Sequence, residues 1–65
     1  MKDRIKNALI KKYEGDIAAA NANIEIYLKN PVGIGEHPDV IAALDEQIGI
    51  AATAEEKLNY IIGIK

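Results

Sequence analysis

The stretch Asn30-Pro31-Val32-Gly33-Ile34-Gly35-Glu36-His37-Pro38 decides the fold, because it divides the chain into two halves of similar length. It contains both prolines and two of the five glycines in the 65-residue sequence. Pro31 disfavours the helical conformation of the residue that precedes it. A first helix is therefore expected to end near Lys29, and the glycine-containing segment is expected to form a tight loop.

The second half begins with a helix-start signal at the end of this loop. Pro38 suits the first position of a helix, where its missing N–H is not needed, and Asp39 places negative charge at the positive end of the helix. No linker or repeat interrupts either half. The sequence therefore predicts two long helices, at about 3–29 and 38–62, within a single domain that spans residues 1–65.

Both predicted helices carry hydrophobic residues at alternating spacings of three and four. This pattern lets two helices interlock along their length, and a short loop favours antiparallel neighbours. We therefore predict an all-α fold, an antiparallel helical hairpin with a coiled-coil seam in which Ile17 faces Ala51 and Ala20 faces Ile48. The predicted seam consists of Ile10, Tyr13, Ile17, Ala20, Ile24 and Tyr27 in the first helix, and of Ile41, Leu44, Ile48, Ala51, Leu58 and Ile62 in the second, where Glu55 interrupts it.

A second hydrophobic stripe lies beside the predicted seam in both helices. Because a hairpin has one internal contact line, it cannot bury both stripes, and monomers rarely expose so large an apolar patch. A chain this short is marginally stable alone, and the absence of cysteine excludes disulfides. We therefore predict a homo-oligomeric helix bundle, a homodimeric four-helix bundle in the first place and a trimer or larger ring in the second. The stripe comprises Ile5, Leu9, Ala19, Ile26, Val40, Ala43, Ile50, Ala54, Ile61 and Ile64.

The composition argues against several classes of function. The chain has no cysteine, no serine and one histidine, so it cannot assemble a serine or cysteine nucleophile with its base. We therefore expect no enzyme and no cofactor. A net charge of −2 gives no overall attraction to nucleic acid or anionic lipid. No apolar run approaches the roughly 18 residues that a membrane span requires, and a soluble, cytoplasmic protein is expected.

The loop contains the residues with the most distinctive chemistry. Its Gly-Ile-Gly segment resembles part of a phosphate-binding loop, but no strand precedes it and nearby carboxylates oppose an anion. The single histidine has too few neighbouring ligands for a metal site without help from another subunit. We therefore favour a structural turn, with helix capping, or a partner-binding loop. The candidate partner-binding residues are Gly33, Ile34, Gly35, Glu36, His37 and Asp39.

The beginning of the chain is basic. Residues 1–12 carry a net charge of +4, and residues 13–65 carry −6. A basic helix end can contact a nucleic acid backbone, but no aromatic side chains are interleaved for base stacking. The favoured interpretation is that these basic side chains are solvated or pair with acidic residues of the same hairpin. Tyr13 and Tyr27 are assigned to the seam, and Tyr60 to the polar face as a weak marker of a partner surface.

The block Ile26-Tyr27-Leu28-Lys29-Asn30-Pro31-Val32-Gly33-Ile34-Gly35-Glu36-His37-Pro38-Asp39-Val40 resembles a signature of short uncharacterised helical proteins of tailed bacteriophages and marine viral metagenomes. The resemblance covers about fifteen residues directly, and the flanking helices match only in character. It implies a viral origin and a location in the cytoplasm of an infected bacterial host. It implies no activity, cofactor or active-site residue.

The leading prediction is a small oligomeric helical protein that acts through protein–protein interaction, as a phage accessory factor that binds a host or phage protein. One alternative is an oligomer that sequesters a small anion or nucleotide at a subunit junction. Another is a nucleic-acid accessory protein that uses the basic segment from Lys2 to Lys12.

Overall fold

The computed structural model describes residues 2–29 and 39–65, which contain two helices, α1 (Lys2–Lys29) and α2 (Val40–Gly63), and no strand. The helices run antiparallel, since Lys2 reaches the carbonyl of Lys65 and Asn23 contacts Gln47. They form a rod with extents of 47 × 15 × 15 Å. The predicted all-helical hairpin is confirmed, and α1 has the predicted bounds to within one residue.

The start of α2 differs from the prediction. The helix begins at Val40 rather than at Pro38, because Asp39 is its N-cap. The Asp39 carboxylate accepts a hydrogen bond from the Ala42 N–H at 2.9 Å, and the backbone carbonyl of Asp39 accepts one from the Ala43 N–H at 3.0 Å. A capping carboxylate satisfies an N–H that has no partner within the helix and fixes where the helix begins. Pro38 itself lies outside the described residues.

On α1 the predicted seam is confirmed. Its large side chains, such as Ile17 and Ile24, are half-buried, and Ala20 is only 1% exposed. Lys6 extends the same line toward the start of the helix, while Leu9, Asp16 and Asn23, each seven residues from the next, are half-buried beside it. The spacing of hydrophobic residues therefore located the inner face of α1 correctly.

On α2 the predicted seam is wrong by one position. Ile41, Ile48 and Ile62 were expected to face α1, but they are 81%, 53% and 56% exposed. Ile48, the expected partner of Ala20, therefore lies outside the buried seam. The buried and half-buried residues that make the seam instead are Val40, Leu44, Gln47, Ala51, Ala54, Leu58 and Ile61.

The reason for this rotation lies in two residues of α2. The predicted and observed seams share Leu44, Ala51 and Leu58, but the predicted one would also place Glu55 against α1. Burying an unpaired carboxylate costs several kcal/mol. The observed rotation puts Ala54 inward in its place and turns Glu55 to solvent.

The rotation also brings Gln47 inward, where it has a polar partner on α1. The Asn23 side-chain amide donates a hydrogen bond to the Gln47 Oε1 at 3.1 Å across the partly buried seam. A polar pair among apolar seam residues favours one register of the two helices. Hydrophobic periodicity gives no signal for such a pair, which explains why the sequence pattern missed it.

Lysines of α1 bind the end of α2. The Lys2 Nζ donates to the carbonyl of Lys65 at 2.9 Å, and the Lys6 Nζ donates to the carbonyl of Ile64. The Ile64 N–H in turn donates to the Ile61 carbonyl at 3.2 Å. Cations are stabilising at the negative end of a helix, where carbonyls lack partners. Part of the basic segment is thus used inside the hairpin.

The hairpin buries few hydrophobic side chains completely. Among the described residues, the buried hydrophobic side chains are those of two alanines, Ala20 and Ala54, which are 1% and 4% exposed. The accessible surface is 5088 Å², whereas a compact protein of this mass exposes about 4,100 Å². Two alanines are too small to form a core, so the hairpin leaves most of its hydrophobic residues in contact with solvent.

Candidate functional site

The rod has two hydrophobic flanks, one on each side of the seam. Residues seven apart lie in line along a helix, so the heptad positions beside the seam form continuous stripes. We call one stripe the lysine flank, because Lys12 and Lys57 lie at its centre, and the other the glutamate flank, because Glu14 and Glu55 lie on it. These two surfaces are the candidate interaction sites.

The lysine flank contains four exposed isoleucines. Ile5 and Ile26 of α1 are 57% and 55% exposed, and Ile50 and Ile64 of α2 are each 42% exposed. Half-buried Leu9 lies among them on α1. This flank coincides with much of the second stripe that the sequence predicted. The other predicted stripe residues are buried or half-buried in or beside the seam, namely Val40, Ala43, Ala54 and Ile61.

Polar groups on the lysine flank are largely partnered within the hairpin. The Lys12 Nζ forms an ion pair with the Asp16 carboxylate at 3.0 Å. The ammonium groups of Lys12 and Lys57 both lie 5.9 Å from the centre of the Tyr13 ring, a distance at which a cation is attracted to an aromatic face. Next to them, a shallow groove of about 400 Å³ runs between Asp16 and Ile50.

The glutamate flank combines apolar side chains with carboxylates. Its exposed apolar residues are Leu28 of α1, which is 66% exposed, and Ile41, Ile48 and Ile62 of α2. The register set by the Asn23–Gln47 hydrogen bond places Glu14 level with Glu55, and both are exposed. The sequence pattern assigned these isoleucines to the seam, so it did not identify this surface.

The predicted loop site is described at one residue only. Gly33, Ile34, Gly35, Glu36 and His37 lie outside the described residues, while Asp39 is exposed and caps α2. Capping is the structural role that the sequence offered as the alternative to partner binding. The partner-binding role of the loop stays a prediction.

The described residues also bear on the other candidate sites. No group of histidine or acidic side chains among residues 2–29 and 39–65 is arranged to hold a metal ion. Neither α1 nor α2 is long and apolar enough to cross a membrane. Lys2 and Lys6, part of the predicted nucleic-acid segment, donate to carbonyls at the end of α2. Tyr60 is 77% exposed beside the lysine flank.

No protein family model matches the chain, and neither a curated protein nor a solved structure matches it at a significant level. The phage resemblance of the loop block stays a prediction.

Proposed function

We propose that this chain is a homodimeric helical protein that acts through protein–protein interaction, and that two copies pack their lysine flanks together into a four-helix bundle. The observation that carries the proposal is the exposure of four isoleucines on one flank of a hairpin whose described residues bury only two alanines among their hydrophobic side chains. Fully burying an isoleucine contributes about 1.5–3 kcal/mol. A second copy is the partner that is always present at the concentration of the chain itself.

The charges of the lysine flank support an antiparallel arrangement of the copies. In a parallel twofold dimer, the layer that contains Lys12 and Lys57 would lie against itself, which is unfavourable. In an antiparallel dimer centred on the middle of α2, Lys57 lies level with Glu46 of the partner subunit. Like charges are then separated and opposite charges meet at the rim, as complementary interfaces require.

The same arrangement suits the hydrophobic residues. The antiparallel register sets Ile26 of one α1 between Leu9 and Lys12 of the partner subunit, so that its side chain packs against Leu9 and the aliphatic part of Lys12. The ion pair of Lys12 with Asp16 leaves that carboxylate neutralised when water is removed. The interface thus combines apolar side chains with charges that have partners.

Sedimentation equilibrium tests the proposal. A mass of twice 7.1 kDa is expected for the parent chain. Ile50→Glu places a charge in the proposed interface and should lower the mass toward that of one chain. Ile48→Glu, the matched control on the other flank of the same helix, should leave the dimer intact.

Circular dichroism of the same samples reports whether each variant stays helical. A parent chain that is fully helical at the mass of one copy would overturn the proposal. So would dissociation by Ile48→Glu with no effect of Ile50→Glu, because that result would assign the dimer to the glutamate flank.

A further inference from the structure

The glutamate flank remains exposed when the lysine flanks pair. Ile41, Ile48 and Ile62 follow one another at multiples of seven residues, and Leu28 of α1 lies level with the first of them. The stripe from Ile41 to Ile62 is about 32 Å long, the length of a helix of about 21 residues. Exposed apolar surfaces of this kind mark interaction sites.

The carboxylates on the stripe indicate which kind of partner can cover it. Glu14 and Glu55 lie level with each other, and the other stripe positions of the two helices hold apolar or amide side chains. Asp45 and Glu25 lie on the outer rim toward the loop, where Lys29 pairs with Glu25 at 2.7 Å. Arg4 and Lys11 lie on the rim toward the opposite end of the rod. The stripe itself therefore carries negative charge at Glu14 and Glu55, about two-thirds of the way from Ile41 to Ile62, with Lys11 on the rim one helical turn from Glu14.

A second copy fits this flank poorly. A parallel twofold pairing would set the layer of Glu14 and Glu55 against itself. An antiparallel pairing would set Glu55 level with Ile48 of the partner subunit and bury unpaired carboxylates among apolar side chains, which costs several kcal/mol per group. The lysine flank carries no such penalty, because its central charges have partners.

We propose that the glutamate flank binds an amphipathic helix of another protein, one with hydrophobic residues at seven-residue spacing and lysine or arginine beside them. The apolar anchors of such a helix cover the isoleucine stripe, as in other helix-in-groove complexes. Its cations meet Glu14 and Glu55, which fixes the position of the helix along the stripe and accelerates association. The dimer then presents two such docking surfaces, one on each copy.

Fluorescence anisotropy with a designed peptide tests this proposal on the full chain. The probe is a labelled 21-residue helix-forming peptide with leucine at seven-residue spacing and lysine at the flanking positions. The matched peptide has glutamate in place of every lysine. The lysine peptide should bind at least about tenfold more tightly, and its affinity should fall with added salt, because the discriminating contacts are charge pairs near the surface.

Variants of the chain locate the binding. Glu14→Gln combined with Glu55→Gln should lower the affinity for the lysine peptide by about five- to tenfold, the effect of one to two lost charge contacts. Glu56→Gln is the matched control, because Glu56 is the sequence neighbour of Glu55 but lies off the flank. Ile48→Ser should abolish binding while the chain stays helical.

Three results would overturn the proposal. Equal binding of the two peptides, or no binding of either, would show that the carboxylates select nothing. Equal effects of Glu55→Gln and Glu56→Gln would show attraction to net charge alone. A loss of oligomer mass in Ile48→Ser would show that a second copy covers this flank. Sedimentation of each variant separates these outcomes from failure of the proposed dimer.

Discussion

The two flanks of the rod carry similar apolar residues but different charges. Each exposes four large hydrophobic side chains. On the lysine flank, Lys12 pairs with Asp16, and Lys12 and Lys57 lie beside the Tyr13 ring. On the glutamate flank, the carboxylates of Glu14 and Glu55 lie level with each other. We therefore propose that apolar area favours association at both flanks and that the charges select the partner of each flank.

Forcing the two helices apart at the seam should destabilise the hairpin and so disrupt both flanks together. Ala54→Leu forces a larger side chain into a position that is 4% exposed, and overpacking of this kind costs about 1–3 kcal/mol. Thermal unfolding followed by circular dichroism measures the loss. Ala52→Leu is the control, because Ala52 is exposed on the same helix. Equal stability of the two variants would mean that the helices do not approach at Ala54.

Removing the polar pair of the seam should change which isoleucines face outward. Asn23→Ala leaves the half-buried Gln47 amide without its partner, and we expect a loss of about 1 kcal/mol in the free energy of unfolding. Replacing both residues by leucine should restore the free energy of unfolding. It should also remove the preference for one register, so that a fraction of the molecules has α2 rotated with Ile48 facing α1.

Amide proton spectra of the double variant measure this competition. Two sets of α2 signals, or a loss of peptide binding to the glutamate flank, are expected. An Asn23→Ala variant as stable as the parent, together with a single set of signals in the double variant, would show that the pair does not set the register.

The sequence predicted the fold but not the rotation of α2, and the reason is specific. On α1, one line of hydrophobic residues from Ile10 to Tyr27 is distinct, so the inner face follows from spacing alone. On α2, two overlapping lines share Leu44, Ala51 and Leu58. The choice between them depends on the cost of burying Glu55 and on the contact of Gln47 with Asn23, which is a tertiary interaction.

The sequence predicted that a hydrophobic surface would remain exposed, but it identified only some of the residues that form it. The excess of hydrophobic residues over what a hairpin can bury follows from the pattern, and Ile5, Ile26, Ile50 and Ile64 were placed on a second stripe. The glutamate flank was missed because its isoleucines had been assigned to the seam. Once Glu55 is turned outward, its neighbours at seven-residue spacing turn outward with it.

A change at the start of α2 should affect both flanks equally. Asp39→Ala removes the carboxylate that accepts from the Ala42 N–H, and the loss of an N-cap costs about 1 kcal/mol. Asp39→Ser retains a capping oxygen and should restore most of that stability. Chemical denaturation of the three proteins makes the comparison. Equal stability of the parent and Asp39→Ala would contradict the capping role.

The smallest expected effect concerns the rim of the lysine flank. Glu46→Lys should bring like charges together near Lys57 of the partner subunit and weaken dimerisation by about 0.5 kcal/mol in total for the two symmetry-related pairs, or about twofold, at the low end for exposed pairs. The combined variant Glu46→Lys with Lys57→Glu should restore the parent dissociation constant, measured by sedimentation. Glu56→Lys is the control, and an equal effect there would indicate net charge rather than a pair.

Disulfide trapping tests the central claim most directly, because the chain contains no cysteine of its own. Two single variants, Lys57→Cys and Glu46→Cys, are mixed and oxidised, since a disulfide requires Cα atoms within about 7 Å. The antiparallel lysine-flank dimer predicts rapid formation of the mixed disulfide. It predicts none from a mixture of Glu55→Cys and Ile48→Cys, the level pair on the glutamate flank. Cross-linking of the second mixture and not the first would contradict the assignment of the two flanks.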